Sequence, residues 1–473
     1  MTELEIAGQV VELVARLGGP AAQAEVRVSR AELALTRFAN STIHQNVAES
    51  VVEVRLRVHM AGRTVAGGGN VVDADGLRAL VERVLAAARF CPPDPAWPGL
   101  TPPTPVTTSG WDAATAHAGP DERAALVRAF VGAAGGLSTA GYCRTTANAT
   151  GFANSAGHCA QGRMAEAAMD GIARAGGADG TARHCVDRLV DLDGAELGRR
   201  AAAKARAAAD PVELSPGRYP VVLEPAAVAD LLQNLAWYGF NGKRYAERLS
   251  FARPGVAQLD RALTLVDDPL GGSGLPFDLE GTPTRALTLV DAGTTAAVAH
   301  DRRSAAGVDA ESTGHAWTGS STFGPIPRNL RLAPAGTAGM AGIAGATAAT
   351  SGAGGRAASA AGAVVDADTA ALVSRVQRGL LVSDLWYIRV LDPKSLVVTG
   401  LTRNGLWLIE DGQVTGAVRD LRFTESYPRA LGPGAVLEVG RRAARQPDRT
   451  DGVWWEAPSL RLASWNFTGG ASG

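Results

Sequence analysis

Residues 50–68 read SVVEVRLRVHMAGRTVAGG. Val52, Val54, Leu56 and Val58 recur at every second position. A period of two places these apolar side chains on one face of a strand. Ala61-Gly62 supplies a short turn, and the chain returns from Arg63. The segment therefore predicts a β-hairpin with one apolar face.

Upstream, AEVRVSR (24–30) and AELALTRFA (31–39) alternate like two further strands. Thr2 caps a helix expected to run to about Leu17, where Gly18, Gly19 and Pro20 stop it. Downstream, Asp73 caps a helix to about Phe90, with Leu77, Leu80, Val81, Val84 and Leu85 on one stripe. Pro92 and Pro93 end it. Residues 93–120 are rich in Pro, Thr and Gly and read as a surface connection. A helix is expected from Asp121 to about Ala134, several strands over 137–192, and an Ala/Arg helix over 193–209.

Asp210-Pro211 and Ser215-Pro216-Gly217 mark a break. The strand RYPVVLE (218–224) then enters the helix PAAVADLLQNLAWYGF (225–240), with Pro225 suited to its first turn. Beyond it, short strands and turns predict a mostly β second half. Residues 334–363 are low in complexity and nearly free of large apolar side chains, so a mobile insertion loop is expected there. The expected organisation is an N-terminal domain over 1–92, the connection 93–120, a middle domain over 121–212 and a C-terminal domain over 213–473.

The 473 residues carry 46 Lys+Arg against 47 Asp+Glu, a balance that argues against a nucleic-acid partner. No apolar run approaches the roughly 20 residues of a membrane span. The N-terminal MTELEIAGQV has acids where a signal peptide has basic residues. Only four cysteines occur, too sparse for a secreted disulfide scaffold. A cytoplasmic protein is expected.

The search for catalytic motifs is largely negative. The chain has no H-E-x-x-H or H-E-x-x-x-H, no phosphate-binding Walker loop, no G-x-S-x-G and no C-x-x-C. His158-Cys159 and His184-Cys185 pair zinc-type ligands, but adjacent strand residues point to opposite faces, so each pair gives one ligand to a site. His44 reads as a loop histidine between two strands, and His300-Asp301 and His315 are isolated in sequence. The segment DDPLGGSGLPFDLEGTPT gathers Asp267, Asp268, Asp278 and Glu280. These carboxylates suit a cation or a peptide amine, yet Asp and Gly also favour tight turns for local reasons, and turn chemistry is the simpler reading.

Taken in order, these segments resemble the TldD/PmbA family. RFANSTIHQN (37–46) with the hairpin is similar to the family's N-terminal signature, and NSAGHCAQGRMAEAAMDG (154–171) to its middle domain. PVVLEP (220–225), LTLVDDPLGGSGLPFDLEGTPT (263–284), ESTGHAWTGSSTFGPIPRNLRLAPAG (311–336) and LWLIEDGQVTGAVRDLRF (406–423) resemble the C-terminal half, the last matching TldE-type members. The resemblance implies a two-lobed α+β chain, with an N-terminal α/β half and a large β-rich C-terminal half, that forms dimers. It implies that TldD-type members carry zinc on an H-E-x-x-x-H helix and cleave peptides, and that TldE-type subunits pair with them.

Here the corresponding helix reads AVADLLQNLAWYGFNGK (227–243), with no histidine or carboxylate between Asp230 and Glu247. Zinc hydrolysis needs two histidines one turn apart and a neighbouring glutamate. The last cysteine is Cys185, so a late cysteine ligand is missing too. The expectation is a TldE-type subunit with no catalytic residue and no metal of its own, acting in peptide proteolysis or maturation. Its partner would be a zinc-bearing TldD-like chain or a second copy of itself. The alternatives are a stand-alone homodimeric peptide-binding protein and a peptidase with a non-standard site. Candidate peptide contacts are Ser312, Thr313 and Gly314, and the acidic loop at Asp278, Glu280 and Gly281.

Overall fold

The structure is a computed structural model that describes residues 1–107, 110–337, 364–448 and 453–470. Most of the segment expected to be a mobile insertion, 338–363, lies outside the described residues.

Helix α1 (Glu3–Gly18) begins with a capping box: Glu5 N donates to Thr2 Oγ1, and Thr2 N donates to Glu5 Oε2. Strands β1 (Gln23–Ala39), β2 (Thr42–Met60) and β3 (Arg63–Gly69) follow, then helix α2 (Ala74–Ala88), capped by Asp73. The hairpin expected over 50–68 is the β2–β3 pair, turning at Ala61-Gly62. The two strands expected over 24–39 are one. The apolar positions shift from Val26 and Val28 to Leu33 and Leu35, a change of phase that reads as a break. The ladders to both neighbours nevertheless run through it. His44 belongs to β2, not to a loop, and is exposed.

Next come α3 (Ala113–Ala116), α4 (Pro120–Ala133), β4 (Ser138–Asn154), β5 (Cys159–Ala175), β6 (Ala178–Val186) and α5 (Gly194–Ala207). Among the described residues the strands form a six-stranded antiparallel sheet in the order β3-β2-β1-β4-β5-β6. The β1–β4 pairing carries this sheet through both 1–92 and 121–212. Val26, Val28, Val54, Leu56 and Val58 pack on Ile6, Val10, Val14, Leu80 and Val84 of α1 and α2. Phe38, Cys143 and Met169 pack on Val127 and Phe130 of α4 and Leu197 of α5. Glu25 and Arg27, one residue out of phase with the valines, lie on the opposite face.

The connection over 93–120 is more than a surface loop. Thr101 is buried, and its Oγ1 donates to the Glu280 carbonyl at 2.7 Å. Arg302 donates to the carbonyls of Gly99 and Pro98. The segment is strapped to the C-terminal half because its backbone carbonyls satisfy side chains there.

The C-terminal half contains β7 (Gly217–Leu223), α6 (Pro225–Asn234), β8 (Leu265–Asp267), β9 (Leu287–Asp291), β10 (Thr294–Thr295) and β11 (Asn329–Leu332). It continues with β12 (Arg378–Asp392), β13 (Val397–Glu410), β14 (Gln413–Ala417), β15 (Leu421–Ser426), β16 (Val436–Pro447) and β17 (Trp454–Gly470). Among the described residues these build an eleven-stranded sheet. The pairings β7–β12, β12–β13, β13–β15, β15–β17 and β17–β7 close a ring within it. Val221, Leu380, Leu406, Phe423, Trp465 and Phe467 share its core with Leu231, Leu232 and Leu235. The chain is thus α+β, with a β-rich C-terminal half. No helix among the described residues is long and apolar enough to cross a membrane.

Candidate functional site

Helix α6 leaves β7 and enters the core of the C-terminal half. Leu231, Leu232, Leu235 and Ala236 are buried in the core. After Asn234 the backbone widens into a π turn over Leu235–Gly239. The polar residues are committed nearby: Gln233 Nε2 donates to Asp448 Oδ2 at 2.9 Å, and Asn234 Nδ2 to the Asp230 carbonyl at 2.9 Å. Asp230 Oδ2 accepts from Leu385 N at 3.0 Å. Burial pushes its carboxyl up to about 8, against the pull of Arg183 and with Asp384 adding to the rise. Among the described residues no group of three or more His, Cys, Asp or Glu is placed to hold a metal ion. The donors along this helix do not fit zinc.

The histidine–cysteine pairs are separated as strand geometry requires. His158 is buried just before β5; its Nε2 donates to the Gly281 carbonyl at 2.8 Å and its Nδ1 accepts from Thr104 N at 3.3 Å. Cys159 is exposed, while Cys185 is buried and its thiol is pushed well up by burial. His184 Nδ1 donates to the Arg445 carbonyl at 2.9 Å.

The acidic loop lies against the strand face that carries Glu25 and Arg27. Asp278 is buried, and its Oδ1 accepts from Glu280 N and Thr282 N while its Oδ2 accepts from Ala316 N, each at 2.9 Å. Glu280 Oε1 accepts from Arg57 Nη2 at 2.9 Å and Oε2 from Arg302 N at 2.9 Å. Arg57 Nε lies 2.6 Å from Glu25 Oε1. Glu25, Arg57 and Glu280 therefore form an acid–base–acid triad across the seam. Burial pushes Glu25 up to about 7; Arg57 opposes this and Glu280 adds to it. Gly281 has φ of 73°, and a Cβ there would meet the Phe152 ring at 2.3 Å.

The second candidate stretch joins the first through His300 and His315, which lie far in sequence from the groups they meet. Thr313 Oγ1 accepts from His300 N at 2.7 Å and lies 2.8 Å from His315 Nδ1. His315 Nε2 lies 3.0 Å from Asp267 Oδ2. Ser312 Oγ donates to the His300 carbonyl at 3.4 Å. Spacings of 13 and 48 residues gave no signal for this chain of bonds. A hydroxyl, an imidazole and a carboxylate in line resemble a nucleophile relay. Here Thr313 Oγ1 also lies 3.1 Å from the His300 carbonyl, so both backbone groups of His300 hold it in place.

Beside this chain is a cavity of about 70 Å³. The six-stranded sheet contributes Arg27, Asn148 and Met164; the C-terminal half contributes Asp267, Gly314, His315 and Arg328, among others. Of the six candidate peptide contacts, Gly314 lines it. Arg27 and Arg328 carry no recognisable motif, so the sequence could not single them out.

No curated protein matches the chain. The whole two-part fold recurs in solved structures. TldE from Thermococcus kodakarensis is 18% identical, with a TM-score of 0.81 over 98% of this chain and 100% of that one. A proposed modulator of DNA gyrase from Bacteroides thetaiotaomicron is 17% identical, with a TM-score of 0.76 over 98% of each chain. A similarly described protein from Thermotoga maritima is 16% identical, with a TM-score of 0.75 over 98% of this chain and 99% of that one. At such identities these likenesses carry the fold. The family model for the PmbA/TldA metallopeptidase C-terminal domain matches residues 216–469. The chain belongs to the PmbA/TldD family.

Proposed function

We propose that the chain is a TldE-type subunit with no metal of its own. It completes a peptide-holding chamber with a zinc-bearing TldD-type partner in the cytoplasm, in peptide proteolysis or maturation. The observation that carries this reading is α6, where buried leucines and committed amides occupy the helix on which the family resemblance places zinc donors. The likeness to TldE from Thermococcus kodakarensis along nearly the full chain supports it. An extended peptide is held mainly through its backbone, by strand addition. The turns at Ser312, Thr313 and Gly314, and the loop at Asp278, Glu280 and Gly281, are the proposed contact region.

The test is co-expression with a family member from the same genome that carries H-E-x-x-x-H. The expected result is a co-eluting complex that cleaves peptides, with activity lost when the partner's zinc is removed. Chelator-sensitive cleavage by this chain alone would overturn the reading. So would a homodimer that never associates with the motif-bearing chain.

A further inference from the structure

The seam cavity is lined by two arginines, Arg27 and Arg328. Arg27 sits on β1, and Arg328 immediately precedes β11. Among the described residues neither guanidinium takes part in a hydrogen bond or ion pair, and Arg27 Nε is buried without an acceptor. Burial, together with the neighbouring charges of Arg328 and Arg55, lowers Arg27 to about 10 against weaker support from Asp278 and Glu53. Arg328 is lowered by burial, with the charges of Asp267 and Asp278 opposing the shift. An arginine so placed lacks the acceptor that its five donors require.

The nearby carboxylates act on the two arginines through space and make their hydrogen bonds to other groups. Asp267 accepts from Asn329 N at 2.7 Å with one oxygen and meets His315 Nε2 with the other. Asp278 is satisfied by three backbone N–H groups. Glu53 is spent on Arg55, which donates to it from Nε at 2.9 Å. What the cavity lacks is a further anion, small enough for about 70 Å³. The two guanidinium groups are joined in the lining by the Asn148 amide and, on the apolar side, by Met164. A guanidinium presents paired N–H donors that match the two oxygens of a carboxylate.

We propose that this cavity binds a carboxylate between Arg27 and Arg328, either the C-terminal carboxylate of a peptide or that of a short carboxylic acid. The inference does not rest on pairing with a zinc-bearing subunit, because every group belongs to this chain.

Calorimetric titration of the intact chain tests it, with tetra-alanine, tetra-alanine amide, sodium acetate and inorganic phosphate as probes. Tetra-alanine is expected to bind and its amide to fail. Arg27→Gln and Arg328→Gln are each expected to weaken binding about tenfold or more. Cooperative unfolding of each variant shows that it is folded. Should either variant not fold, the contrast between free peptide and amide on the wild-type chain still decides. Binding of acetate without binding of tetra-alanine would keep the carboxylate and assign it to a small acid. Equal binding of peptide and amide, tighter binding of phosphate than of any carboxylate, or no binding of any probe would each overturn the proposal.

Discussion

Arg57 Nη2 and Glu280 Oε1 lie 2.9 Å apart across the seam between the six-stranded sheet and the C-terminal half. Glu280 is 3% exposed at its side chain, and the second acid on Arg57, Glu25, is 5% exposed. Removing the base therefore leaves two like charges buried together.

Arg57→Ala is expected to cost about 3–5 kcal/mol of unfolding free energy, the range for breaking a buried pair from one side. Urea denaturation measures it. A loss below about 1 kcal/mol would place Arg57 among ordinary surface ion pairs. Adding Glu25→Gln to Arg57→Ala should recover part of the loss, since it removes one of the stranded charges.

The pH dependence of stability follows from Asp230 and Glu25. Their carboxyls rise from 3.8 to about 8 and from 4.5 to about 7. The folded state holds these protons more tightly than the unfolded chain. Their contribution to stability is fully present below the unfolded values and is lost as pH rises through the folded ones. His184 and His300 are lowered from 6.5 by burial and act in the opposite sense, but only below that pH. Between about pH 6.5 and 8 the carboxyls decide the slope, and stability falls. Asp230→Asn keeps a neutral side chain and should flatten this decline. Chemical denaturation across that window compares the two proteins, and equal slopes would remove Asp230 from the account.

The elements were largely legible because they rest on local chemistry. Thr2, Asp73 and Asp193 each cap a helix through their own side chains. The seam was not legible. Glu53, Arg55 and Arg57 alternate with valines and leucine exactly as a solvated strand face would, yet Arg57 is enclosed by Glu25, Glu280 and the Trp97 ring. A period of two separates the faces of a strand but does not say which one meets water. The acidic loop shows the same limit. Turn chemistry describes Asp278 correctly, but the bond from Arg57 to Glu280 spans 223 residues and has no local signature.

His158 separates a packing role from a ligand role. It bridges the Gly281 carbonyl and Thr104 N, and its ring centroid lies 5.6 Å from that of Phe152. His158→Ala should cost about 2–4 kcal/mol, from a cavity and an orphaned carbonyl. Zinc per chain, measured by mass spectrometry after dialysis, should stay far below one in both proteins. A fall from one zinc to none on mutation would identify His158 as a ligand.

Thr313 offers the sharpest test of whether the bonded chain to Asp267 is catalytic. In a nucleophile relay the hydroxyl must be free to attack, and its loss abolishes turnover. In this structure Thr313 Oγ1 is held by His300 N at 2.7 Å, and the His315–Asp267 contact is buried. The arrangement fixes the turn at Gly314, whose φ of 79° brings it against the Pro283 carbonyl. Thr313→Val keeps the shape and removes the hydroxyl. It should cost about 1–3 kcal/mol by leaving His300 N without its acceptor. The kcat for peptide cleavage by the complex with a zinc-bearing partner should stay within about twofold of wild type, since kcat then depends on groups elsewhere. A drop of about a hundredfold in kcat at unchanged stability would instead make Thr313 a reacting group, and the relay through His315 and Asp267 would become the place to seek this chain's own chemistry.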